Sequence, residues 1–399
     1  MEEGLQIIKI HENRDIFSDV CARPLESRGR LYNEVDSVTR SAFQRDRDRI
    51  IHCSAFRRLK YKTQVFVYHE GDNYRTRLSH SLEVAQIARS ISRFLGLNED
   101  LTETLALAHD LGHTCFGHAG EEALQACMLE YNGFDHNAQA LRIVTKLEQR
   151  YPSFDGLNLS WETLEGLVKH NGPLTQDSSL PAAILEYNQQ HNLELNSYPS
   201  AEAQVAAVSD DIAYNAHDID DGLNAGLLCL EDLKEISLVG PIVLEVEELF
   251  PEIDKSRQIH EIVRRLINSM VNDVIGEASM RYNKLQVTDS QSVRNCNTAI
   301  ISFSRSMIEC EKALKGFLFP NMYRHPRVIK TTDKAQTIVK GLFSHFYLCP
   351  DQLPEAWQKD IDKAGGAKVA RRVADYIAGM TDRFALDEHN RIFGLGLSL

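Results

Sequence analysis

Helical periodicity is the feature that most constrains how this chain can fold. Over residues 78–95, apolar side chains recur on one face of a helix, and Gly96 follows as a stop signal. Asn98 then stands where a helix N-cap is expected, and the second helix is predicted to end at Gly112. Similar patterns predict further helices at 119–130, 136–150, 200–231, 242–249, 257–283, 297–317, 331–347 and 366–384. No stretch of the sequence alternates polar and apolar residues for long enough to build a large sheet, so the predicted fold is mainly α.

The distribution of charge narrows the class of partner. A net charge of −13 argues against a general nucleic-acid coat. Residues 40–77 nevertheless hold ten Lys/Arg and four Asp/Glu, a local charge of +6 that leaves −19 for the rest. Such a segment suits a compact polyanion, although a solvated basic helix face explains the same pattern. Within it, Arg57, Arg58, Lys60 and Lys62 are candidates to contact an anionic ligand or a neighbouring subunit.

Cysteine usage and hydropathy indicate the compartment. The eight cysteines are scattered without a CxxC pair, which is typical of reduced thiols in a cytoplasmic protein. The start of the chain, MEEGLQIIKIHENRD, is too polar for a secretory signal, and no apolar run approaches the roughly 18 residues of a membrane span. Three polar stretches, 171–200, 284–297 and 350–354, interrupt the helices without resembling flexible linkers. We therefore expect one mainly helical unit over residues 1–399.

One set of side chains points to metal chemistry. The pair His109-Asp110 stands near a predicted helix end, with His80 on the preceding predicted helix and Asp210 on a later one. Two imidazoles and two carboxylates suit Mn²⁺, Fe²⁺, Zn²⁺ or Mg²⁺, and a helical bundle can bring such residues together. The pair alone is weak evidence, since a second His-Asp pair begins at His217. A buried, satisfied histidine beside an N-cap aspartate is the alternative.

The wider sequence resembles a known family. The order of the four residues is similar to the H…HD…D pattern of the HD superfamily. Six runs narrow the resemblance to the bacterial deoxyguanosine triphosphate triphosphohydrolase-like family. They are SAFQRDRDRIIHCSAFRRLKYKTQVF (41–66), RTRLSHSLEVAQIAR (75–89), LALAHDLGHTCFGHAGE (105–121), GFDHNAQALRIV (133–144), SDDIAYNAHDIDDGL (209–223) and VADYIAGMTDRFA (373–385). They occur in order from residue 41 to residue 385, so the resemblance covers nearly the whole chain.

The resemblance implies both a fold and a reaction. The fold is an HD-domain helical bundle with appended N- and C-terminal helices, in which 60–225 form the metal-dependent phosphohydrolase core and 226–399 a C-terminal helical extension. In the implied reaction, water attacks the α-phosphorus of a deoxynucleoside triphosphate (dNTP) and releases deoxynucleoside and tripolyphosphate. The implied metal is Mn²⁺ or Mg²⁺, with Fe²⁺, Zn²⁺ and Co²⁺ as further candidates. No GxxxxGK[ST] motif occurs, so side chains and metal must hold the phosphates.

Two residues just beyond the metal pair are candidate catalysts. His118 and Glu121 are three residues apart, a spacing that lets a carboxylate orient an imidazole on one helical face. By resemblance they form the acid/base couple, and His113 and His136 add phosphate-facing donors. The alternatives are a helix cap for His118, a helix-dipole partner for Glu121 and structural roles for the other two. The three histidines are also candidates for a second metal.

The remaining candidates concern substrate contacts. Arg77 shares a helical face with His80 and is similar to the family's α-phosphate arginine, although a surface arginine is the plain alternative. Tyr214 and Asp218 lie four and eight residues after the last aspartate, and the resemblance assigns them phosphate and sugar contacts. Gln64 is similar to the glutamine that contacts the sugar 3′-hydroxyl.

Two departures from the family pattern stand out. Relatives commonly have two prolines where this chain has Thr114-Cys115, which predicts a different local loop geometry. Cys115 is a candidate redox switch or, more simply, a small packing residue. Animal relatives place a lysine after the last metal aspartate, where this chain has Asp211, so that phosphate contact is absent.

Two other functions and two kinds of partner follow from the family. HD chemistry also occurs in nucleotidases and guanosine tetraphosphate hydrolases, and a non-catalytic dNTP-sensing scaffold is the third hypothesis. Relatives assemble as homo-oligomers, often hexamers, and some need one dNTP to activate cleavage of another. A homo-oligomer and a regulatory dNTP are therefore expected partners, whereas membrane is not expected and nucleic acid is not indicated.

Overall fold

The computed structural model of the chain describes residues 15–64, 75–175, 180–359, 366–394 and 396. Its α-helices are α1 (Ala42–His52), α2 (Ser54–Arg58), α3 (Arg77–Leu95), α4 (Glu99–Ala108), α5 (Gly117–Met128), α6 (His136–Arg142), α7 (Trp161–Val168), α8 (Ala182–Gln190), α9 (Ala201–Asn224), α10 (Leu230–Leu233), α11 (Gly240–Leu249), α12 (Lys255–Leu285), α13 (Ser290–Arg294), α14 (Arg305–Leu318), α15 (Pro326–Leu348), α16 (Ala367–Ala378) and α17 (Asp382–Phe393). Short 3-10 turns are Pro24–Glu26, Leu59–Tyr61, His109–Gly112, Leu129–Tyr131, Pro350–Gln352 and Glu355–Trp357, and π turns are Ile143–Leu147 and Phe319–Tyr323.

The mainly α prediction is confirmed. Within the described ranges, isolated β-bridges take the place of any sheet. None of the helices in those ranges is both long and apolar enough to cross a membrane. The polar start of the chain and residues 65–74 of the cationic segment lie outside the described residues. The predicted division into a phosphohydrolase core (60–225) and a C-terminal extension (226–399) stays a prediction.

The first two predicted helices form for the expected local reasons. Thr76 and Ser79 make a reciprocal capping box at the start of α3, which satisfies backbone N–H groups that have no partner inside the helix. Gly96 ends α3 at φ 79°, a left-handed conformation that glycine adopts without steric cost. The Asn98 side chain then accepts the N–H of Leu101 at 3.0 Å and caps α4.

The end of the second helix differs from the prediction in a way that matters for the site. The α-helical part stops at Ala108, and His109–Gly112 tighten into a 3-10 turn. A β-carbon on Gly112 would lie 1.8 Å from the carbonyl oxygen of His136. Glycine therefore allows α6 to pack directly against the turn, and this brings the segment of His136 next to His109-Asp110.

Other element boundaries were predicted less well. The helix predicted at 366–384 is two helices, because Thr381 caps a new helix, α17, after α16 has ended. The helix predicted at 297–317 begins only after its cap, Ser304. The predicted loop 171–200 contains α8, and α1, α2 and α7 were not predicted at all.

Two hydrophobic cores organise the helices. The main core joins α1, α3, α4, α9 and α12, and the second core joins α5 to α15, α16 and α17. Leu111 belongs to the main core, whereas Cys115 and Phe116 belong to the second. Burial raises the pKa of the Cys115 thiol, which suits a packing residue better than a reactive one. The loop 113–116 therefore passes from one core to the other.

Candidate active site

Four side chains from three parts of the fold converge on one point, here called the His/Asp cluster. His80 projects from α3, His109 and Asp110 from the 3-10 turn, and Asp210 from α9. His80 Nε2 lies 2.9 Å from Asp210 Oδ1. His109 Nε2 lies 3.5 Å from Oδ1 of both Asp110 and Asp210. One ligand atom from each of His80, His109 and Asp110 lies within 4.8 Å of the others, a spacing at which they could hold a metal ion.

The donor atoms of the cluster fit a divalent cation. His109 Nδ1 donates to the carbonyl oxygen of Ala106 at 2.6 Å, so in the neutral ring the Nε2 that faces the two carboxylates has a bare lone pair. Nε2 and Asp110 Oδ2 are buried and have no hydrogen-bond partner among the described residues. Burial alone would lower the pKa of His109, yet the carboxylates of Asp110 and Asp210 raise it to about 9. The cluster thus concentrates negative charge and lone pairs in a buried place, which favours a cation.

Two histidines that sequence reasoning did not assign also border the cluster. His170, just after α7, places Nε2 3.3 Å from Asp210 Oδ2, and its ring stacks on that of His109 with centroids 5.4 Å apart. His217 places Nδ1 3.2 Å from His80 Nδ1. In the sequence, His217 stands out only as the first residue of a second His-Asp pair. Its position seven residues after Asp210, on the same helix, was a signal that could have been used.

Arg77 is buried rather than on the surface. Its Nη1 donates to Asp110 Oδ1 at 2.8 Å, and its side chain is 1% exposed. Its Nε and Nη2 have no hydrogen-bond partner in the part of the chain that the structure describes. A β-carbon on Gly117 would lie 3.2 Å from Nη2, so glycine leaves room for the guanidinium at the start of α5. A buried guanidinium with free donors beside the cluster is suited to bind an anion.

The expected hydrogen bond between His118 and Glu121 is not formed, because Glu121 is paired with His136 instead. Glu121 accepts from His136 Nδ1 at 2.8 Å and from the His136 backbone N–H at 3.1 Å. The ring of His113 stacks on His136 with centroids 4.2 Å apart, and its Nδ1 lies 3.7 Å from Glu121 Oε2. Because α6 packs against the turn, its first residue reaches Glu121, and no hydrogen bond links His118 to Glu121 within the described residues. Ligand atoms of His113, Glu121 and His136 lie within 4.8 Å of one another and form a second possible metal group.

The protonation states in this second group follow from its contacts. Burial opposes the charge of Glu121, but hydrogen bonding from His136 brings the pKa of Glu121 below its usual value. The same pair, against the effect of burial, raises the pKa of His136. Burial and the positive charge of Arg77 lower the pKa of His118. His118 is therefore a neutral imidazole at the mouth of the site, beside an ion pair.

The buried side chain of Lys62 holds the loop 113–116 in place. Its ammonium donates to the carbonyl oxygens of His113 at 2.6 Å and Ala378 at 2.7 Å. Burial, with the nearby charge of Arg58, lowers its pKa to about 7. Lys62 therefore links α16 to the active-site loop through buried hydrogen bonds. It is not a surface cation available to a nucleotide or a subunit.

Asp382, the first residue of α17, holds two active-site segments at once. Its carboxylate accepts the backbone N–H groups of Thr63 and Phe116, each at 2.8 Å, and the Thr63 hydroxyl. Phe116 has φ 61°, a left-handed conformation that a bulky residue adopts at a cost. The C-terminal helices therefore fix both the segment that leads to Gln64 and the turn that leads to His118.

Much of the cationic segment is neutralised inside the molecule. Six of its arginines form ion pairs with carboxylates: Arg40, Arg45, Arg47, Arg49, Arg75 and Arg77. Six of the ten Lys/Arg of residues 40–77 are therefore paired with carboxylates, and the compact polyanion expected for this segment stays a prediction. The cation nearest the cluster is Arg77.

A cavity of about 450 Å³ opens beside His118. Gln64, His118 and Tyr214 line it, as predicted contacts would, and Tyr214 lies one helical turn after Asp210. The opposite wall comes from residues 319–336, which sequence reasoning did not assign; they include Phe319, Tyr323, Arg324, Arg327, Val328 and Gln336. Gln64 is buried, and its Oε1 has no hydrogen-bond partner among the described residues, so the amide oxygen is free to accept from a ligand.

Tyr323 links the two walls of the cavity. Its hydroxyl donates to the Asp218 carboxylate and lies 3.1 Å from the hydroxyl of Tyr214. Burial raises the pKa of Asp218 to about 8. The second oxygen of Asp218, Oδ1, has no hydrogen-bond partner in the described ranges. The predicted pair of Tyr214 and Asp218 thus lies together and acquires a third member from the C-terminal region.

The departure at Asp211 has a structural counterpart. Asp211 Oδ1 lies 3.3 Å from the ammonium of Lys315 on α14, which also pairs with Glu311 at 2.7 Å. Burial raises the pKa of Asp211 to about 6. Where animal relatives have a lysine, this chain therefore has a carboxylate engaged with a lysine from another helix.

Comparisons with known proteins agree with this geometry. Residues 77–215 match the HD domain, and residues 301–391 match the phosphohydrolase-associated domain. The chain is 60% identical to a deoxyguanosinetriphosphate triphosphohydrolase-like protein of Parvibaculum lavamentivorans, over 94% of this chain and 96% of that protein. The chain belongs to the deoxyguanosinetriphosphate triphosphohydrolase-like family. Proteins of that name from Azorhizobium caulinodans and Bartonella quintana are 57% and 51% identical, over 93% and 98% of this chain and 94% and 98% of theirs.

Membership of the triphosphohydrolase-like family makes the chain an HD-type phosphohydrolase. HD domains bind divalent metals, and the HD match contains all four residues of the His/Asp cluster. The phosphohydrolase-associated match contains Tyr323 and Asp382. The two matched regions therefore meet at the site, one with the cluster and the other with part of the cavity wall.

Proposed function

We propose that this HD phosphohydrolase hydrolyses dNTPs to deoxynucleoside and tripolyphosphate. The observation that carries the proposal is the adjacency of three groups along one path. Asp110 of the His/Asp cluster contacts Arg77 and His113. The ring of His113 meets that of His118 edge to face, and His118 lines the cavity. Its volume of about 450 Å³ falls within the roughly 300–1,000 Å³ typical of small-molecule sites. The name of the relatives, deoxyguanosinetriphosphate triphosphohydrolase-like, supports the same substrate class.

His80, His109, Asp110 and Asp210 would hold the divalent ion, for which we propose Mn²⁺ or Mg²⁺. When bound, such an ion polarises a phosphoryl oxygen and lowers the pKa of water toward neutrality. His109 is oriented for this role by Ala106, and Asp110 by Arg77.

The triphosphate would lie between cationic and hydrogen-bond donors. Arg77 Nε and Nη2 are buried, and the structure shows no partner for them among its described residues, so a phosphate oxygen would satisfy both. The ion pair of Glu121 with His136 keeps a protonated imidazole next to His113. We assign Arg77, His113 and His136 to binding the phosphates, with Glu121 as the partner of His136.

We assign proton transfer to His118. It lines the cavity as a neutral imidazole, so it can accept a proton from water and deliver one to the departing 5′ oxygen. Glu121 acts on it through the charge of the neighbouring ion pair rather than by a direct hydrogen bond. General acid–base catalysis of this kind contributes roughly 10²–10⁴ in rate.

The sugar would occupy the far end of the cavity. Gln64 Oε1 has no hydrogen-bond partner among the described residues, and Gln64, Tyr214 and Tyr323 all line the cavity, with Asp218 hydrogen-bonded to Tyr323 behind them. Acceptors in this position suit the 3′-hydroxyl of a deoxyribose. The close packing of the two tyrosines would disfavour an additional 2′-hydroxyl.

Product analysis tests the proposal. The purified full chain is incubated with each of the four dNTPs, and with GTP and guanosine tetraphosphate, in the presence of Mn²⁺ or Mg²⁺. We expect equal amounts of deoxynucleoside and tripolyphosphate from at least one dNTP, and no such products once a chelator is added. Stepwise release of orthophosphate, or cleavage of guanosine tetraphosphate alone, would contradict the proposal.

Isotope labelling locates the bond that breaks. In H₂¹⁸O, attack at the α-phosphorus places the label in tripolyphosphate, whereas attack at the 5′ carbon places it in the deoxynucleoside. We expect label in tripolyphosphate only.

A further inference from the structure

On the side of His80 that faces away from the cluster, a chain of hydrogen bonds leads through His217 to Glu83. On the cluster side, His80 Nε2 lies 2.9 Å from Asp210 Oδ1. On the opposite side, His80 Nδ1 lies 3.2 Å from His217 Nδ1, and His217 Nε2 is hydrogen-bonded to the Glu83 carboxylate. Both imidazoles are buried, 1% and 2% exposed, and their rings meet edge to face at 76°. Their contacts therefore decide where their hydrogens lie.

Donor and acceptor rules fix these hydrogens when both rings are neutral. A carboxylate only accepts, so the hydrogen between His217 and Glu83 is on His217 Nε2. The Nδ1 of a neutral His217 is then a bare acceptor. The contact between the two Nδ1 atoms needs one donor, and that donor is His80 Nδ1–H.

This arrangement has a consequence on the cluster side. With its hydrogen on Nδ1, His80 has a bare Nε2 that faces Asp210 Oδ1 at 2.9 Å. Two acceptors at that distance repel one another unless a cation lies between them. The chain of contacts therefore presents the nitrogen lone pair that a metal ion requires, because metal-binding histidines commonly donate their other ring N–H to a partner.

We infer that His217 and Glu83 are positioning residues that hold His80 in the tautomer and ring orientation for metal binding. The inference rests on the proposed function, since it takes the His/Asp cluster to be the metal site. The three residues, here called the relay, run from Glu83 through His217 to His80. The partner of the metal ligand is thus a second histidine, and the carboxylate acts one step further away.

Glu83 is itself held in place. It is half-buried, and Arg75 Nε donates to its Oε2 at 3.3 Å. Arg75 also pairs with Asp220 and Asp221, each at 2.7 Å, at the C-terminal end of α9. Arg75 therefore ties Glu83 on α3 to the helix that carries both His217 and Asp210, so the relay spans two helices of the cluster.

Metal affinity of the full chain tests the inference without relying on turnover. Metal is removed with a chelator, and the dissociation constant of Mn²⁺ is measured by calorimetry. His217→Leu removes the acceptor for His80 Nδ1–H, and we expect Mn²⁺ to bind roughly 10–100-fold more weakly. His217→Gln can accept from His80 with its amide oxygen and donate to Glu83 with its NH₂, so it should bind Mn²⁺ nearly as tightly as the wild type. Glu83→Leu, at a half-exposed position, should weaken binding without unfolding the chain.

A matched variant separates the relay from Arg75. Asp221→Asn removes another partner of Arg75 but does not touch His217, so it should bind Mn²⁺ like the wild type. Equal weakening by Asp221→Asn and Glu83→Leu, or equal weakening by His217→Gln and His217→Leu, would overturn the relay. Unchanged binding by His217→Leu would overturn it as well, while leaving the metal site in place. A wild-type chain that binds no Mn²⁺ would refute the metal site and the inference with it.

Discussion

The two ends of the candidate site are built in different ways. The His/Asp cluster comes from side chains within residues 77–215, which touch one another directly and are mostly buried. The cavity is enclosed only when residues 319–336 fold over Gln64 and Tyr214. The cluster thus lies entirely within the HD region, whereas residues of both the HD region and the phosphohydrolase-associated region line the cavity.

This difference suggests a division of labour. A cluster that is complete within the HD region can carry the chemistry common to HD phosphohydrolases. A wall contributed by the phosphohydrolase-associated region can set which substrate fits. Asp382 and Lys62 connect the cluster end to the cavity end. Their hydrogen bonds link the C-terminal helices to the segments that carry Gln64 and His118. Changes at the cluster should therefore abolish chemistry, and changes at the wall should alter binding.

The largest effect is expected at Asp210. Asp210→Ala removes a carboxylate that contacts both His80 and His109, so bound Mn²⁺ should be lost. Loss of the several kcal/mol that a metal contributes to catalysis would lower kcat/KM on the order of 10⁴-fold. Metal content and steady-state kinetics measure the two effects. As a control, the Asp211→Ala variant of the neighbouring residue should retain metal. Unchanged metal content and turnover in Asp210→Ala would contradict the assignment of the His/Asp cluster as the metal site.

The next largest effect is expected at His118, where the two ends meet. His118→Ala should lower kcat by about 10³-fold, inside the range of general acid–base catalysis. Bound Mn²⁺ should remain at the wild-type level, because His118 lies outside the cluster. The exposed His260 on α12 provides a control, and His260→Ala should have wild-type kinetics. Loss of metal in His118→Ala would show that the cluster extends further than described.

Asp382→Asn tests the connection between the ends. An amide cannot accept all the bonds that this buried carboxylate accepts from Thr63 and Phe116. Leaving one donor unsatisfied costs about 1–3 kcal/mol of stability, and small misplacement of the active-site loops can lower kcat by up to about 10²-fold. Denaturant unfolding and kinetics measure these effects. Asp387→Asn, exposed on the same helix, should change neither, and an equal loss in both variants would count against a specific connection.

The smallest effect is expected at the wall. Tyr323→Phe removes the hydroxyl that contacts Asp218 and Tyr214, a loss of about 1 kcal/mol. The KM for a dNTP should rise about fivefold with kcat little changed, and discrimination against the ribonucleotide should fall. Tyr131→Phe removes a hydroxyl that bonds to Tyr347 away from the cavity, so it should leave KM unchanged. A fall in kcat alone would place Tyr323 with the chemistry instead.

Local signals made much of the cluster end predictable. Capping residues and periodicity located α3 and α4, and the order of His80, His109, Asp110 and Asp210 indicated the residues that converge. The 3-10 turn was not predicted, and the close packing of α6 on Gly112 is a tertiary contact that no local pattern shows. The pairing of His118 with Glu121 failed for the same reason, since α6 delivers His136 to Glu121.

The wall could not be predicted from local signals. Tyr323 reaches Asp218 across a separation of 105 residues, and Asp382 reaches Thr63 across 319. Neither stands in a spacing that identifies its partner. The packing of α15 and α16 against α5, and of α14 against α9, brings the C-terminal region to the site. The position of His170 beside Asp210 likewise depends on the tertiary path of the chain.

Anomalous diffraction from crystals loaded with Mn²⁺ tests the central claim most directly. The cluster predicts a peak at the manganese edge between Nε2 of His80 and His109 and the carboxylates of Asp110 and Asp210. A peak found only at His113, Glu121 and His136, or no peak at the cluster, would contradict the account.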